Sequence, residues 1–594
     1  MMKTIYKIAV AILSVAALSG CNDKEFLTEK PEYFYTVDNA FSTSSQVDAA
    51  LTACYSHIRA MNNMSEENNN SFVYKGGNGT DMFDVATIRR SNQFNNYAVI
   101  NAENGVIYTI YSWWYQLIAK ANLALYGADL ETIAWGSSQE QAYAKAQARF
   151  FRAWAYRNLG EEFGGVPIVT EMTTSPRYDF ARATRVETYQ YAIDELEDIL
   201  NDLPETTPTN GKIVKGAAIH TLCQLYLDKG IALEEEGNAG EAKSAYAKSV
   251  EYGDKLINGS TYRLMTERFG TRLGEHGPTL YFASSEAAKT PETLYSAAGV
   301  DLEANVYWDL FQPGNQDYQD GNYESIWTIQ QDYNANLKED GQSKLQYSRV
   351  YGPVFRDPMS KICTGTMEDV GGRGICQVMP TVYTRDIVYE GKWAEDMRNS
   401  EVVLRRTFLG NVPGNEYYGK VIPWSVLNRE GEARDAVDVA LTQVYPVSCK
   451  IATDNYIDDK SGGNKSNLYR DEYIIRLPET ILLRAEAKMR NGDNAGAADD
   501  INILRKRAKC GYLVTAGDVN LDLILDERAR ELVYEETRWN TLLRMGGTVA
   551  VDRIKKYAYW DEPRLNIPAF NLWPIPQTVI DTNKDVEIKQ NPGW

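Results

Sequence analysis

Residue types that commonly carry catalysis are few or unpaired in this sequence. The three histidines, His57, His220 and His276, lie far apart, so no His-Glu-x-x-His zinc motif is formed. No Gly-x-Ser-x-Gly elbow is found, and GGNKS at 462–466 lacks the Gly-Lys-Ser/Thr ending of a phosphate-binding loop. Carboxylates are numerous, but no spacing marks two of them as a glycosidase pair. Catalytic signatures are thus mostly missing and no cofactor is predicted, while the number of carboxylates leaves a glycosidase pair open.

Aromatic side chains are frequent in this chain, which contains 39 Tyr and 12 Trp. Their flat apolar faces and polar edges suit stacking on, and hydrogen bonding to, hydrated ligands. Acids outnumber bases by 81 to 62, a formal net charge of −19. Because nucleic-acid phosphates need basic patches, this charge argues against nucleic acid as a partner.

One polar stretch offers oxygen ligands for a cation. The sequence DDKSGGNKSNLYRDE, at 458–472, is rich in carboxylates and amides. Its spacing departs from that of an EF-hand calcium loop. We therefore interpret it as a solvated loop and predict no metal site.

The N-terminus is typical of an exported lipoprotein. Two lysines precede an uncharged apolar run at 8–18, which is too short for a bilayer core that needs about 20 residues. LSGC at 18–21 is similar to a bacterial lipobox, in which signal peptide 1–20 is removed and Cys21 is acylated. The alternative is an ordinary cleavage site with a stray cysteine beyond it. With three acyl chains the protein is expected to stay on a membrane, with residues 21–34 as the lipidated tether.

Two cysteines lie close together in a Gly-rich stretch. Cys363 and Cys376 flank TGTMEDVGGRGI, and an exported protein permits a disulfide between them. Two free thiols are the equal alternative. Cys223 lies within a helical pattern and is interpreted as a small buried apolar residue.

Helical periodicity dominates both ends of the chain. Two separate stretches, 216–257 and 479–508, each contain a helix, a glycine (Gly237 or Gly492) and a second helix with alanine in its first turn. Such pairs are typical of tetratricopeptide-like stacking. The other predicted helices include 41–60, 110–126, 142–160 and 521–545.

Two long stretches lack any persistent period. Asn and Gly are frequent in residues 61–105, and Gly, Pro, Asn, Asp and Tyr are frequent in residues 262–470. Long loops in compact domains are often functional. We predict a single mainly α domain at 35–594, in which a helix-pair scaffold carries a large loop-rich inserted lobe. The scaffold is expected at about 35–60, 106–261 and 471–594.

The charged segment ERARELVYEETRW, at 527–539, alternates acids and bases at three- and four-residue separations. This spacing predicts ion pairs along one helix, with a structural role.

Several stretches, taken in order, resemble the SusD/RagB family of outer-membrane glycan-binding lipoproteins. They are the lipobox, YSWWYQLIAKANLAL, ARFFRAWAYRNLGEEFGGVPIVTE, KGAAIHTLCQLYL, ESIWTIQ, RLPETILLRAEA, ERARELVYEETRWNTLLR and the ending LWPIP…QNPGW. The resemblance implies a SusD-like α–α superhelix of tetratricopeptide-like helices, with the ligand site on the loop-rich parts. It also implies a non-catalytic, surface-exposed protein that acts as a lid on a SusC-type TonB-dependent transporter in the outer membrane and captures oligosaccharide or polysaccharide.

Resembling proteins place an acid, an arginine and an aromatic residue in the loop before the YSWWYQLI helix. The same order here implies Asp81, then Arg89 or Arg90, then Phe94 or Tyr97 as glycan-binding residues. A ring can stack on a sugar while a carboxylate and a guanidinium bind its hydroxyl groups. The alternative is that Asp81 caps a turn and Tyr97 packs in the core. The candidates from the second lobe are Tyr347, Arg373 and Trp393.

Two other functions remain open. A peptide-binding accessory of a peptide-importing TonB-dependent transporter fits the helix-pair scaffold, although the aromatic content favours glycans. A surface hydrolase is disfavoured because catalytic motifs are missing. The helix tryptophans Trp114, Trp154 and Trp539, and Trp327 of ESIW, are interpreted as core residues.

Overall fold

The structure is a computed structural model, and its described residues are mainly α-helical, as predicted. They are residues 40–64, 69–84, 94, 97–278, 291–331, 346–354, 374–410, 412–429, 443–452, 457–458, 466–467, 470–558 and 570–594.

Helices, most of them long, form the N-terminal and C-terminal parts of the described chain. The first group is α1 Ser44–Asn62, α2 Asn69–Tyr74, α3 Gly105–Asp129, α4 Ser138–Phe163, α5 Arg185–Ile199, α6 Lys215–Glu235 and α7 Ala239–Ile257. The last group is α13 Leu477–Arg490, α14 Asn494–Arg507, α15 Leu521–Leu532, α16 Arg538–Arg544, α17 Val549–Tyr557 and α18 Gln577–Thr582.

Most of the shorter elements lie between these groups, while β1 and the first 3₁₀ turn lie between α2 and α3. The helices are α8 Pro291–Ala297, α9 Val306–Asp309, α10 Tyr347–Tyr351, α11 Val382–Arg385 and α12 Trp424–Leu427. The strands are β1 Phe83–Asp84, β2 Ser325–Ile329, β3 Met379–Pro380, β4 Leu404–Arg405, β5 Thr407–Leu409, β6 Val421–Pro423, β7 Val447–Ser448, β8 Ile457–Asp458, β9 Ser466–Asn467 and β10 Glu472–Arg476. Single 3₁₀ turns lie at Tyr97–Val99, Tyr318–Asp320, Ile387–Tyr389, Gly391–Trp393 and Met397–Asn399.

The starts of the long helices follow from local capping chemistry. Asn104 accepts hydrogen bonds from the backbone N–H groups of Val106 and Ile107, and so satisfies two free donors of α3. Thr184 and Glu187 form a reciprocal capping box at the start of α5. These contacts set where the two helices begin.

The two predicted helix hairpins are α6–α7 and α13–α14, and they stack on one another. In α7, a Cβ placed on Gly253 would lie 3.1 Å from Cβ of Arg484 in α13, so the helices approach closely. The Arg484 guanidinium donates to Asp254 of α7 and to Asp500 of α14, each at 2.6 Å. Sequence-distant hairpins thus become neighbours, as in repeat scaffolds.

The strands of the described residues pair only as short antiparallel ribbons. β1 pairs with β3, β4 with β7, β5 with β6, β8 with β9, and β2 with β10. The last ribbon places Ser325 opposite Arg476 and Ile329 opposite Glu472. It joins a segment within the inserted stretch to the residues that follow its end, directly before α13.

The largest apolar core lies among the helices and also takes in residues of the C-terminal tail. Trp114 and Trp539 are fully buried, Trp154 and Trp327 nearly so, which confirms their interpretation as core residues. A second apolar cluster lies beneath the loop-rich part and includes Phe83, Tyr347, Tyr351 and Tyr534.

The prediction of one helix over 521–545 is wrong. The helix stops at Leu532 and a new one begins at Arg538, because Tyr534 has a left-handed backbone with φ of 66°. Its ring packs 4.9 Å from Tyr351 and 5.1 Å from Phe83, between ring centroids. Tertiary packing of an aromatic residue has therefore overridden helical periodicity.

Two other expectations concern cysteine and calcium chemistry. Cys376 is a free, buried thiol whose pKa burial raises to about 12, while Cys363 lies outside the described residues. Most of the polar stretch 458–472 also lies outside them. Within the part of the chain that is described, no group of three or more His, Cys, Asp or Glu side chains is placed to hold a metal ion.

Candidate functional site

A groove with a cavity of about 410 Å³ lies between α3, a coil arm and the C-terminal tail. The arm is residues 167–180, which carry neither helix nor strand, and the tail is residues 577–588. We refer to this site as the arm groove. Its volume falls in the range of small-molecule pockets, which is roughly 300–1,000 Å³.

One face of α3 forms the floor of the arm groove. Tyr111, Tyr115, Ala119 and Asn122 line the cavity at separations of three or four residues, which places them on one side of the helix. The Tyr111 and Tyr115 rings lie 4.9 Å apart at 31°. Burial raises the pKa of Tyr111 to about 12, so the floor is uncharged at neutral pH.

Polar atoms of the floor hold the arm in place. Tyr115 donates its hydroxyl hydrogen to the Pro167 carbonyl oxygen at 2.7 Å. The Asn122 side-chain amide donates to the Val169 and Glu171 carbonyl oxygens at 3.2 and 3.0 Å. Because these groups are occupied by the protein, the floor presents mainly ring faces and aliphatic carbon to a ligand.

The tail fixes the other end of the arm. Asn583 accepts a hydrogen bond from Phe180 N at 3.0 Å and donates to Phe180 O at 2.9 Å. Asp585 N donates to Tyr178 O at 2.9 Å. A coil with no internal hydrogen-bond ladder is thereby positioned by α3 and by the tail residues that directly follow α18.

Exposed side chains surround the mouth of the groove. Tyr178 is 45% exposed, and its ring centroid lies 5.7 Å from the Lys584 ammonium. Arg177 is paired with Asp179 at 2.9 and 3.2 Å and lies 4.9 Å from the Phe180 ring centroid. The arm groove therefore combines aromatic surfaces with polar groups at its edge, an arrangement suited to binding a hydrated ligand.

The predicted acid, Asp81, lies in the interior rather than in an open loop. It is fully buried, and its two oxygens accept hydrogen bonds from Arg538 at 2.8 and 2.7 Å, while Arg553 donates to one of them at 3.0 Å. Burial disfavours the charged form, but the guanidinium groups of Arg538 and Arg553 hold the pKa of Asp81 below its ordinary value. It is thus a buried ion-pair residue.

The predicted aromatic residues are also interior. Phe94 packs edge-on against Trp539 and Trp573, with ring centroids 5.6 and 5.7 Å away. Tyr97 is 4% exposed and donates to the Gly79 carbonyl oxygen at 2.6 Å, so the alternative of core packing is the one observed. Tyr347 is buried and donates to Glu472. In this conformation these side chains face protein, which corrects the expectation of an open site.

Trp393 is partly exposed. Its ring lies 5.3 Å from Tyr512, and the guanidinium groups of Arg505 and Arg530 lie 4.8 and 4.5 Å from its centroid. Arg89, Arg90 and Arg373 lie outside the described residues. Ligand contact by these four residues stays a prediction.

Sequence reasoning missed Tyr111, Tyr115 and Tyr178 as members of a cavity. The first two could have been found as tyrosines four residues apart on α3. Tyr178 carries no such signal, because the arm has no period and is placed only by tertiary contacts.

Comparison with known proteins identifies the family. A model described as "SusD family" matches residues 323–594, and one described as "Starch-binding associating with outer membrane" matches residues 25–227. The two matches occupy successive parts of the chain. No curated protein matches the sequence.

Solved structures share the fold over almost the full chain. A "Laminarin binding SusD-like protein" is 20% identical with a TM-score of 0.63, and the alignment covers 93% of this chain and 100% of that one. A SusD homolog from Bacteroides thetaiotaomicron VPI-5482 is 16% identical, with a TM-score of 0.64 and coverage of 94% and 98%. Surface glycan-binding protein A from Bacteroides thetaiotaomicron, in complex with laminarihexaose, is 19% identical, with a TM-score of 0.61 and coverage of 92% and 99%.

The same family is indicated by the helix hairpins, by the two family models and by the architecture shared with the solved structures. No helix of the described residues is long and apolar enough to cross a membrane. The chain belongs to the SusD/RagB family.

Proposed function

We propose that this protein captures oligosaccharide or polysaccharide at the cell surface and passes it to a SusC-type TonB-dependent transporter in the outer membrane. Membership of the SusD/RagB family supports the proposal, as do the similar structures of a laminarin-binding SusD-like protein and of a surface glycan-binding protein in complex with laminarihexaose. No step of this function requires catalysis by the protein itself.

The observation that carries the proposal is the aromatic lining of the arm groove. Tyr178 offers a half-exposed ring at the mouth, the partly exposed Tyr115 continues the aromatic surface inward, and Tyr111 lies behind it with only 4% of its surface exposed. The C–H face of a sugar ring packs on such surfaces, and its hydroxyl groups can reach the polar side chains at the edge. We assign the arm groove as a glycan-binding site.

Membrane attachment is proposed through Cys21, which lies outside the described residues. A lipid on this cysteine would hold a protein without a described spanning helix at the membrane. Replacing Cys21 with alanine is expected to release the protein into the soluble fraction when the transporter is absent. Persistence of that variant in the membrane fraction would refute the lipobox interpretation.

The first test is affinity electrophoresis of residues 22–594 in gels containing individual polysaccharides. Tyr178→Ala is expected to weaken binding about 3- to 10-fold, because one stacking surface is lost. The matched control is Tyr108→Ala, since Tyr108 is also 45% exposed and on α3 but does not line the groove. Both variants should keep the wild-type melting temperature.

The outcomes separate the functions. Glycan capture at the arm groove is supported if a glycan retards the wild-type protein, retards Tyr178→Ala less, and retards Tyr108→Ala as much as wild type. Equal effects of the two substitutions on binding would refute the arm groove as the glycan-binding site, although glycan capture by the protein would still stand. No retardation by any polysaccharide, together with binding to a peptide library, would favour the peptide-binding alternative.

A further inference from the structure

Charged side chains around the arm groove are mostly acidic. Glu171 and Arg177 belong to the lining, Asp179 pairs with Arg177, and Lys584 lies beside Tyr178. The tail adds three more acids, Asp581, Asp585 and Glu587, so the arm and the tail together carry five acids and two bases. The tail residues that line the cavity, Val579, Thr582, Asn583 and Ile588, are uncharged.

The guanidinium of Arg177 is already engaged. Its Nε and one terminal nitrogen donate to the two carboxylate oxygens of Asp179 at 2.9 and 3.2 Å, the two-bond geometry with which arginine also binds a ligand carboxylate. A ligand anion that approaches Arg177 must displace Asp179 or share the guanidinium with it. It also approaches the Glu171 carboxylate, and such like-charge contacts disfavour the wrong partner.

The charge of the whole molecule adds to this local excess of acids. Its formal net charge of −19 repels polyanions at low ionic strength. The floor offers ring faces and carbon rather than free cationic donors. A neutral sugar loses no affinity through charge repulsion in this environment, because stacking and hydrogen bonds to hydroxyl groups require no net charge.

We propose that the arm groove selects neutral glycans over uronic-acid or sulfated ones, and that Asp179 is a specificity-determining residue because it occupies Arg177. This inference rests on the proposed glycan-binding function. It goes further by naming the ligand class and a residue whose removal changes it.

The experiment compares wild type with Asp179→Asn on two sets of polysaccharides. The neutral set is a glucan, a mannan and a galactan, and the anionic set is polygalacturonate, alginate and chondroitin sulfate. Wild type is expected to bind at least one neutral polymer, with an affinity that changes less than about 2-fold between roughly 20 and 500 mM salt. Asp179→Asn, which frees Arg177, should gain roughly 2- to 5-fold in affinity for an anionic polymer at low salt.

A matched control separates local from global charge. Glu251→Gln removes one exposed carboxylate, that of the Lys248–Glu251 pair on α7, so the net charge changes by the same amount away from the groove. The control should leave the ratio of anionic to neutral affinity unchanged. Equal gains in Asp179→Asn and Glu251→Gln would overturn the role of Asp179.

The two proposals fail in different ways. Wild-type binding to an anionic polymer as tight as to any neutral one would overturn neutral selection and leave glycan capture intact. Absence of binding to both sets would overturn glycan capture itself. Neutral binding with an anionic gain confined to Asp179→Asn would support both.

Discussion

Individual residues of this protein take their roles from burial and partners. Asp81 follows a Gly- and Asn-rich stretch, yet it lies between Arg538 and Arg553, more than 450 residues later in the chain. Burying this carboxylate costs desolvation free energy that the two guanidinium groups offset, so removing either arginine is expected to destabilise the fold. Asp81 therefore connects the stretch 61–105 to α16 and α17 through ion pairs.

Tyr97 provides a test at the residue scale. We expect Tyr97→Ala to lower the free energy of unfolding by about 3–5 kcal/mol, because a large buried ring is lost. Tyr97→Phe keeps the ring and loses only the hydrogen bond to Gly79 O, at a cost of about 1 kcal/mol. Urea unfolding measures both. Weakened glycan binding by Tyr97→Ala with unchanged stability would instead restore Tyr97 as a ligand contact.

Helix hairpins are the elements that the sequence predicts best. At Gly237 and Gly492, φ is 83° and 88°, a left-handed conformation that glycine adopts without a steric cost. These residues end one helix and allow the chain to turn into the next. The stacking of the two hairpins needs further contacts, such as those of Gly253 and Arg484, that do not follow from hairpin periodicity.

Gly492 tests this at the element scale. A Cβ at this position would meet no atom within 4 Å, so Gly492→Ala should destabilise through backbone strain alone, by about 1–2 kcal/mol. Gly240 is a matched control, because it also has open space but lies within α7 in ordinary helical conformation. Gly240→Ala is expected to leave stability unchanged or raise it by up to about 1 kcal/mol. Thermal unfolding compares the two; equal shifts would refute the strain argument.

Across the whole molecule, buried ion pairs join the helices to the loop-rich part. Glu531 is bound by Arg398 at 3.1 Å, Arg476 at 3.2 Å and Arg507 at 2.6 Å, from separate segments. The charged segment of α15 thus pairs mostly with other elements, and Glu527–Arg530 is a pair within the helix, at 2.9 Å. Its structural role agrees with the interpretation from sequence, but the expected pairing along one helix is largely replaced by tertiary pairing.

These pairs predict acid sensitivity. Although burial opposes ionisation, Arg544 and Arg490 lower the pKa of Glu486 to about 2, and Arg398, Arg530 and Arg505 lower that of Glu527 to about 2. Each contributes stability that is complete above the unfolded pKa near 4.5 and is lost as the pH falls towards 2. Burial also lowers the pKa of His220 to about 4, so stability declines further between pH 6.5 and 4.

Glu486→Gln is the corresponding measurement on the whole molecule. At pH 7 it should cost about 3–5 kcal/mol, because Arg544 and Arg490 lose a buried partner. The difference from wild type should narrow as the pH falls from 4.5 towards 2, because Glu486 takes up a proton in the unfolded wild-type chain over this range, whereas the folded state binds that proton only near pH 2. Urea unfolding at pH 7, 5 and 3 would show this trend. A difference that stays constant with pH would contradict the pKa assignment, and the exposed control Glu251→Gln should cost less than about 1 kcal/mol.

Sequence by itself determined the mainly α class, the two helix hairpins, the core tryptophans and the family resemblance. These features depend on periodicity, turn residues and local motifs, all of which involve residues close together in the sequence. The break at Tyr534, the burial of Asp81 and Tyr97, and the arm groove were decided only by the tertiary structure. Each depends on contacts between residues far apart in the chain, such as Tyr178 with Asp585, and no local pattern encodes which distant partner a side chain will meet.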